Sequence, residues 1–255
     1  MQALCGDITL AQASATAARQ QNGLAPGSDT IHPVDINNLI QTVLIYALPV
    51  LFAITIHEAA HAYVARALGD NTAYMMGRVT LNPIKHIDVL GTIVMPLLLY
   101  FATSGAFLFG YAKPVPVNFS QLRHPKRDMV WVALAGPASN FVQALLWLIV
   151  LTVLVGSGLT ERFFLEMCKA GVLVNLVMWA FNLFPLPPLD GGRILVGLLP
   201  RRLAWSVSRV EPWGFFIVMG LVIAGVVGTY WLRPLISLGF ASLDFLLTPL
   251  SALFR

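Results

Sequence analysis

Two histidines and a glutamate stand together at His57-Glu58-Ala59-Ala60-His61, inside a run from Ala53 to Ala62 that holds no other ionisable side chain. On a helix, positions i and i+4 share a face, so both imidazoles aim at one spot. Two imidazoles so placed are half of a zinc site. A carboxylate beside the first of them can take a proton from an activated water, so the pattern supplies two ligands and a general base. The apolar setting sharpens the reading. A charged glutamate in the middle of a membrane helix costs roughly 2.5 kcal/mol or more, and three such side chains there demand a use. The plainer alternative is a polar cluster that only joins helices.

A catalytic zinc takes three protein ligands and keeps one position open. Candidates for the third are Asp70 and His86 after the first apolar run, Asp88 at the edge of the second, and Asp190. Asp190 is preferred. It closes the stretch Asn182-Leu183-Phe184-Pro185-Leu186-Pro187-Pro188-Leu189-Asp190-Gly191-Gly192, whose three prolines must break a helix. Backbone freed inside a bilayer has to be buried in protein or line a watered cavity. The two glycines then let the chain turn closely around a site. A simple helix stop at the membrane surface would account for one proline and one glycine, but not for a carboxylate ending an apolar run.

The elements that must hold these residues are membrane helices. Of 255 residues, 57% are hydrophobic and 11% charged, against about a quarter charged in an ordinary soluble domain, which excludes a soluble enzyme. Sixteen Lys and Arg against twelve Asp and Glu leave a charge of +4. The basic residues fall in short connections, so the excess is a topology signal and not a nucleic-acid surface. Residues 1–35 read as a polar tail without the apolar core of a secretory signal. Uncharged runs follow at Ile36 to Ile56, Val89 to Ala112, Met129 to Thr160, Ala170 to Leu189 and Pro212 to Leu232, each able to cross about 30 Å of hydrocarbon. A sixth, Pro234 to Phe254, is interrupted by Asp244. The first run should end at Gly69-Asp70. Residues 36–255 are therefore expected to form a single membrane domain, an all-α polytopic bundle. The two cysteines, Cys5 and Cys168, are too far apart in sequence to suggest a disulfide or CxxC metal site.

The pair of motifs, His57-Glu58-Ala59-Ala60-His61 and Asn182 to Gly192, resembles the two signatures of the site-2 protease family of intramembrane zinc metalloproteases. Ala135-Gly136-Pro137-Ala138-Ser139-Asn140 is similar to that family's small-residue segment, and Gly110 to Asn118 to a loop of its compact bacterial members. The resemblance spans about residues 40 to 210. It implies that His57, His61 and Asp190 bind one zinc ion and that Glu58 activates water. It also implies that Asn182 helps to hold the substrate carbonyl or its oxyanion, and that the substrate is a membrane-spanning segment of another protein in a bacterial plasma membrane. The chain has no room for the PDZ or CBS domains that many family members carry.

Topology follows from the metal. If His57, His61 and Asp190 share an ion, the first and fourth apolar runs cross in the same direction, so an odd number of crossings separates them. Val89 to Ala112, with Gly91, Pro96 and Gly105, is the run expected to enter and leave on one side. That arrangement gathers eleven basic residues between Arg66 and Arg209 on one face, leaving mainly Arg162, Lys169 and Arg233 opposite, and places the site toward the cytoplasm. Gly77 to Leu81 alternates like a short strand of a β-hairpin, though a plain loop fits equally. A metal transporter is the rival function, weakened by the scarcity of polar residues in the outer halves of the crossings. An inactive scaffold is the other.

Overall fold

The computed structural model describes residues 36–85, 88, 94 and 113–251. The tail expected over residues 1–35, His86, and Val89 to Ala112 apart from Val94 lie outside the described residues. Of the two compact units, Met1–Leu39 and Ile40–Arg255, only residues 36–39 of the first are described. The described elements are helical. No strand occurs among them, consistent with an all-α polytopic membrane protein.

Helix α1, Ile36–Ala67, carries the HExxH residues. It stops where the sequence indicates: Gly69 turns at φ 114°, and the Asp70 N–H bonds the Ala65 carbonyl at 3.0 Å. Small residues let neighbours approach it, with Ala53, Ala59, Ala62 and Ala65 all buried. Close backbone packing of this kind associates helices in lipid, where burial of apolar surface supplies little drive. A short helix α2, Thr72–Met75, follows. Residues 77–81 then form turns and bends where a strand was an option. Local bonds explain this: the Arg78 N–H is taken by the Ala73 carbonyl, the Thr80 N–H by the Arg78 carbonyl, and the Asn82 N–H by Thr80 Oγ1.

Helix α3, Pro125–Gly156, starts beside the end of α1, because the Arg123 N–H bonds the Leu68 carbonyl at 2.9 Å. It runs antiparallel to α1, meeting His61 at Val132 and His57 at Asn140. Helix α4, Arg162–Asn182, returns alongside α3 and so is parallel to α1, as a shared metal requires. Leu148 and Leu151 of α3 and Val172 and Leu176 of α4 make the buried core with Leu243 and Leu247. The three spans Ile40–Ala67, Pro125–Gly156 and Arg162–Asn182 are long and apolar enough to cross a membrane. The polar residues midway along them point inward: His57, His61, Asn140, Gln143 and Asn175 are buried, whereas Leu44, Phe52, Leu146 and Val150 are exposed.

The fourth crossing begins earlier than the apolar run Ala170 to Leu189. Arg162 opens the helix, and Lys169 pairs with Glu166 at 3.1 Å, so charge near its outer end does not interrupt it. Three short helices follow, α5 (Asp190–Leu198), α6 (Arg201–Ser208) and α7 (Glu211–Ile223). The expected crossing Pro212 to Leu232 is not one helix. Helix α7 has 13 residues, about 20 Å of rise, and ends at a turn through Gly225 with φ 74°. Helices α6 and α7 meet at 66° and make a fourth span only if taken together. A π-helical turn, Gly228–Leu232, leads into α8, Arg233–Ser251, which runs through Asp244.

Candidate metal centre

His57 and His61 stand one turn apart on α1, and their Nε2 atoms lie 3.1 Å from each other. Asp190, the first residue of α5, brings its Oδ2 to 3.2 Å from His57 Nε2 and 3.3 Å from His61 Nε2. The sequence placed Asp190 at the end of a Pro-rich break; the fold makes that break a tight loop which aims the carboxylate back at α1. Gly192 permits this, since a Cβ there would stand 2.1 Å from the Pro187 backbone nitrogen. Helix α7 braces the loop from the other side, with Gly214 against the Pro187 carbonyl.

The hydrogen bonds around the rings identify what these three atoms can do. His61 Nδ1–H donates to the Val132 carbonyl at 2.7 Å, an atom that can only accept. His57 Nδ1–H donates to Asn140 Oδ1 at 2.6 Å. The Asn140 amide is oriented by its own donations from Nδ2 to the Ala53 carbonyl and to Asn175 Oδ1, and Asn175 in turn donates to the Gly171 carbonyl. With both Nδ1 atoms acting as donors, neutral rings carry bare lone pairs at Nε2. The contact between the two Nε2 atoms is then not a hydrogen bond, and neither ring donates to Asp190. Asp190 Oδ2 is buried and has no hydrogen-bond partner. Three lone-pair atoms facing one another inside a membrane bundle repel unless a cation lies among them.

Their spacing suits zinc. Tetrahedral ligands at about 2.0–2.1 Å from the metal stand about 3.3–3.4 Å apart, close to the triangle formed by His57, His61 and Asp190. These residues are the metal-holding group among the described residues, with a carboxylate and two imidazoles in the mixture zinc accepts. Gly136 of α3 sets the distance between helices: a Cβ on it would fall 2.3 Å from His61 Nε2 and 2.6 Å from His57 Cε1.

Glu58 is half-buried and accepts a 2.8 Å hydrogen bond from the Val115 N–H. That contact ties the extended segment after Lys113 to the HExxH helix. Asn182, at the end of α4, spends one amide hydrogen on the Met178 carbonyl and keeps the other. Of the other candidates for a third ligand, Asp70 is buried but remote in role. Its carboxylate accepts bonds from Thr72 and from the Asn118 N–H, fastening the turn after α1. Asp88 has an interaction of its own and is not part of the metal-holding group.

Asn140 and the Val132 carbonyl were not legible as ring partners. Asn140 appeared in the sequence only inside a small-residue run, and a backbone carbonyl leaves no sequence signal at all. The Gln143 amide, on the same helix as Asn140, is buried without a partner.

Residues 45–171 match the model of peptidase family M50. The chain is 36% identical over 214 residues to the provisionally named zinc metalloprotease YwhC of Bacillus subtilis, covering 80% of this chain and 90% of the relative. It is 28% identical over 203 residues to the provisionally named zinc metalloprotease Rip2 of Mycolicibacterium smegmatis, covering 77% of this chain and 72% of the relative. Identity to Rip2 of Mycobacterium tuberculosis H37Rv is also 28%, over 200 residues. No solved structure gives a significant match.

Proposed function

The chain belongs to peptidase family M50, the site-2 protease family of membrane-embedded zinc metalloproteases, and from that premise we propose that it hydrolyses a peptide bond within or beside a membrane-spanning segment of another protein, as in regulated intramembrane proteolysis. His57, His61 and Asp190 hold one zinc ion per chain. The observation that carries this reading is the meeting of two imidazole nitrogens and a carboxylate oxygen in a bundle whose outer faces are apolar. Bound there, zinc polarises the scissile carbonyl and acidifies water.

The remaining steps belong to side chains of this chain. Glu58 takes the proton of the attacking water and returns it to the leaving amine, with Val115 holding its Oε2. Asn140 and the Val132 carbonyl keep both imidazoles in one tautomer and orientation. The free amide hydrogen of Asn182 is offered to the substrate carbonyl as negative charge develops on it. A helical carbonyl is already hydrogen-bonded, so the substrate must be unwound at the cleaved bond.

A single-span reporter peptide reconstituted with the purified chain in vesicles tests the reading. Cleavage is expected inside or at the edge of the span and should stop when a zinc chelator is added. Cleavage confined to soluble peptides, with the spanning peptide left intact, would refute it.

Residues 36–255 act as a single membrane domain, with the site open to the cytoplasm and with Lys85 and Lys113, described residues on either side of the run Val89 to Ala112, both at that face. Support comes from the described flanks. Arg78 binds the Lys85 carbonyl, Val115 and Val117 pack with Val79 around Ala62 and Ala73, and Asp70 binds Asn118, all near the C-terminal end of α1. In a cysteine-free background, Lys85→Cys and Gln121→Cys should therefore both react with an impermeant thiol reagent only when the cytoplasmic face is open. Labelling from opposite faces would sink the topology.

A further inference from the structure

Helices α5 and α6 and the chain leading into α3 border a shallow, open groove that the proteolytic site does not use. It holds about 390 Å³. Phe119, Met129, Val196 and Ala204 make it apolar, and Lys126, Arg201 and Trp205 line it with them. No carboxylate lines it. Lys126 donates to the Leu199 carbonyl at the end of α5, which fixes its ammonium at the mouth. Among the described residues Lys126, Arg201 and Arg202 pair with no carboxylate, although nearby Arg193 pairs with Glu211 and Lys169 with Glu166.

The position is that of a membrane boundary. Helix α3 is a membrane span, and Pro125 at its first turn lines the groove. Trp205 is 65% exposed, and Leu198 and Leu203 beside it are also exposed. Helix α6 is thus a short amphipathic helix with arginines, a tryptophan and a leucine turned outward, the composition that lies in the headgroup layer. An apolar surface beside cations that pair with no carboxylate is, at that level, complementary to a lipid: an anionic head against Lys126 and Arg201, with acyl carbon against Phe119, Met129 and Val196. A water-soluble acidic peptide would satisfy the cations but leave the apolar floor without a partner.

We propose that this groove binds the headgroup and upper acyl chain of an anionic phospholipid from the leaflet that surrounds the N-terminal end of α3. Because α5 begins with Asp190, the lipid rests on the helix that presents that carboxylate to the two histidines.

Native mass spectrometry of the purified chain with phosphatidylglycerol, and separately with phosphatidylcholine, tests the assignment. One phosphatidylglycerol should be retained in preference to phosphatidylcholine. Lys126→Ala and Arg201→Ala should each weaken retention about 5-fold, and the pair about 30-fold, the scale of one juxtamembrane cation each. Ala204→Trp fills the groove without changing charge and should weaken retention as much as the pair. Arg233→Ala, outside the groove, should change nothing. Phosphatidylglycerol should raise the thermal midpoint of the wild type but not of Ala204→Trp, a readout that separates lost binding from lost folding. Equal retention of the two lipids overturns the proposal, as does undiminished retention by the double variant. Displacement by millimolar inorganic phosphate would make the groove a plain anion site, and displacement by a polyglutamate peptide would give it to a protein partner. Either result also overturns it.

Discussion

Glu58→Gln should lower turnover of a membrane-spanning reporter peptide by about 10²- to 10⁴-fold, the range a positioned general base contributes. The amide cannot accept the proton of water, yet its oxygen can still receive the Val115 N–H, so the segment after Lys113 stays in place. Bound zinc should remain at one per chain by metal analysis, because the three atoms that converge are those of His57, His61 and Asp190. The two measurements answer separate questions. Zinc lost together with activity would make Glu58 a ligand, and activity retained with zinc would take the base role from it.

Asp190→Ala should remove zinc and proteolysis together. The substitution leaves two imidazole lone pairs 3.1 Å apart with no carboxylate to complete the triangle. The fall in zinc affinity should exceed the about 10- to 100-fold expected for Asn140→Ala, which keeps every ligand but releases the hydrogen bond that orients His57. Asp70→Ala and Asp88→Ala should keep zinc. Asp70→Ala should instead lower thermal stability by about 1–3 kcal/mol, since the Asn118 N–H and Thr72 lose their acceptor at a buried site. Equal zinc binding in wild type and Asp190→Ala would move the third ligand elsewhere, and His86 would be the next to test.

Much of this chemistry was already written in local order. A helix puts His57 and His61 on one face whatever surrounds it, because 3.6 residues per turn fixes the relation of i to i+4. Likewise, prolines at 185, 187 and 188 end α4 wherever that helix lies, and Gly69-Asp70 ends α1. The apolar runs announced spans because lipid tolerates few charges, and three of them are described as membrane-length helices. The runs failed as boundaries where hydropathy alone was read. Helix α4 begins at Arg162, outside its apolar run, and the run Pro212 to Leu232 breaks at Gly225, where backbone conformation and not polarity sets the end.

The sequence by itself determined two histidines on one helix face with a carboxylate beside them, the membrane setting and a short slate of third ligands, because each depends on residue type or on spacing within one helix. The sequence preferred Asp190 to Asp70, His86 and Asp88 without a geometry, and the tertiary structure supplies one, turning Asp70 to the loop at Asn118 and bringing Asp190 to the histidines. It also supplied Asn140, 83 residues from His57, and the carbonyl of Val132, 71 residues from His61. Such partners follow from how antiparallel helices settle against each other, with Gly136 allowing α3 to approach the imidazoles. No local rule contains that register, because the free energy that selects it is spread over the whole packed face between α1, α3 and α4.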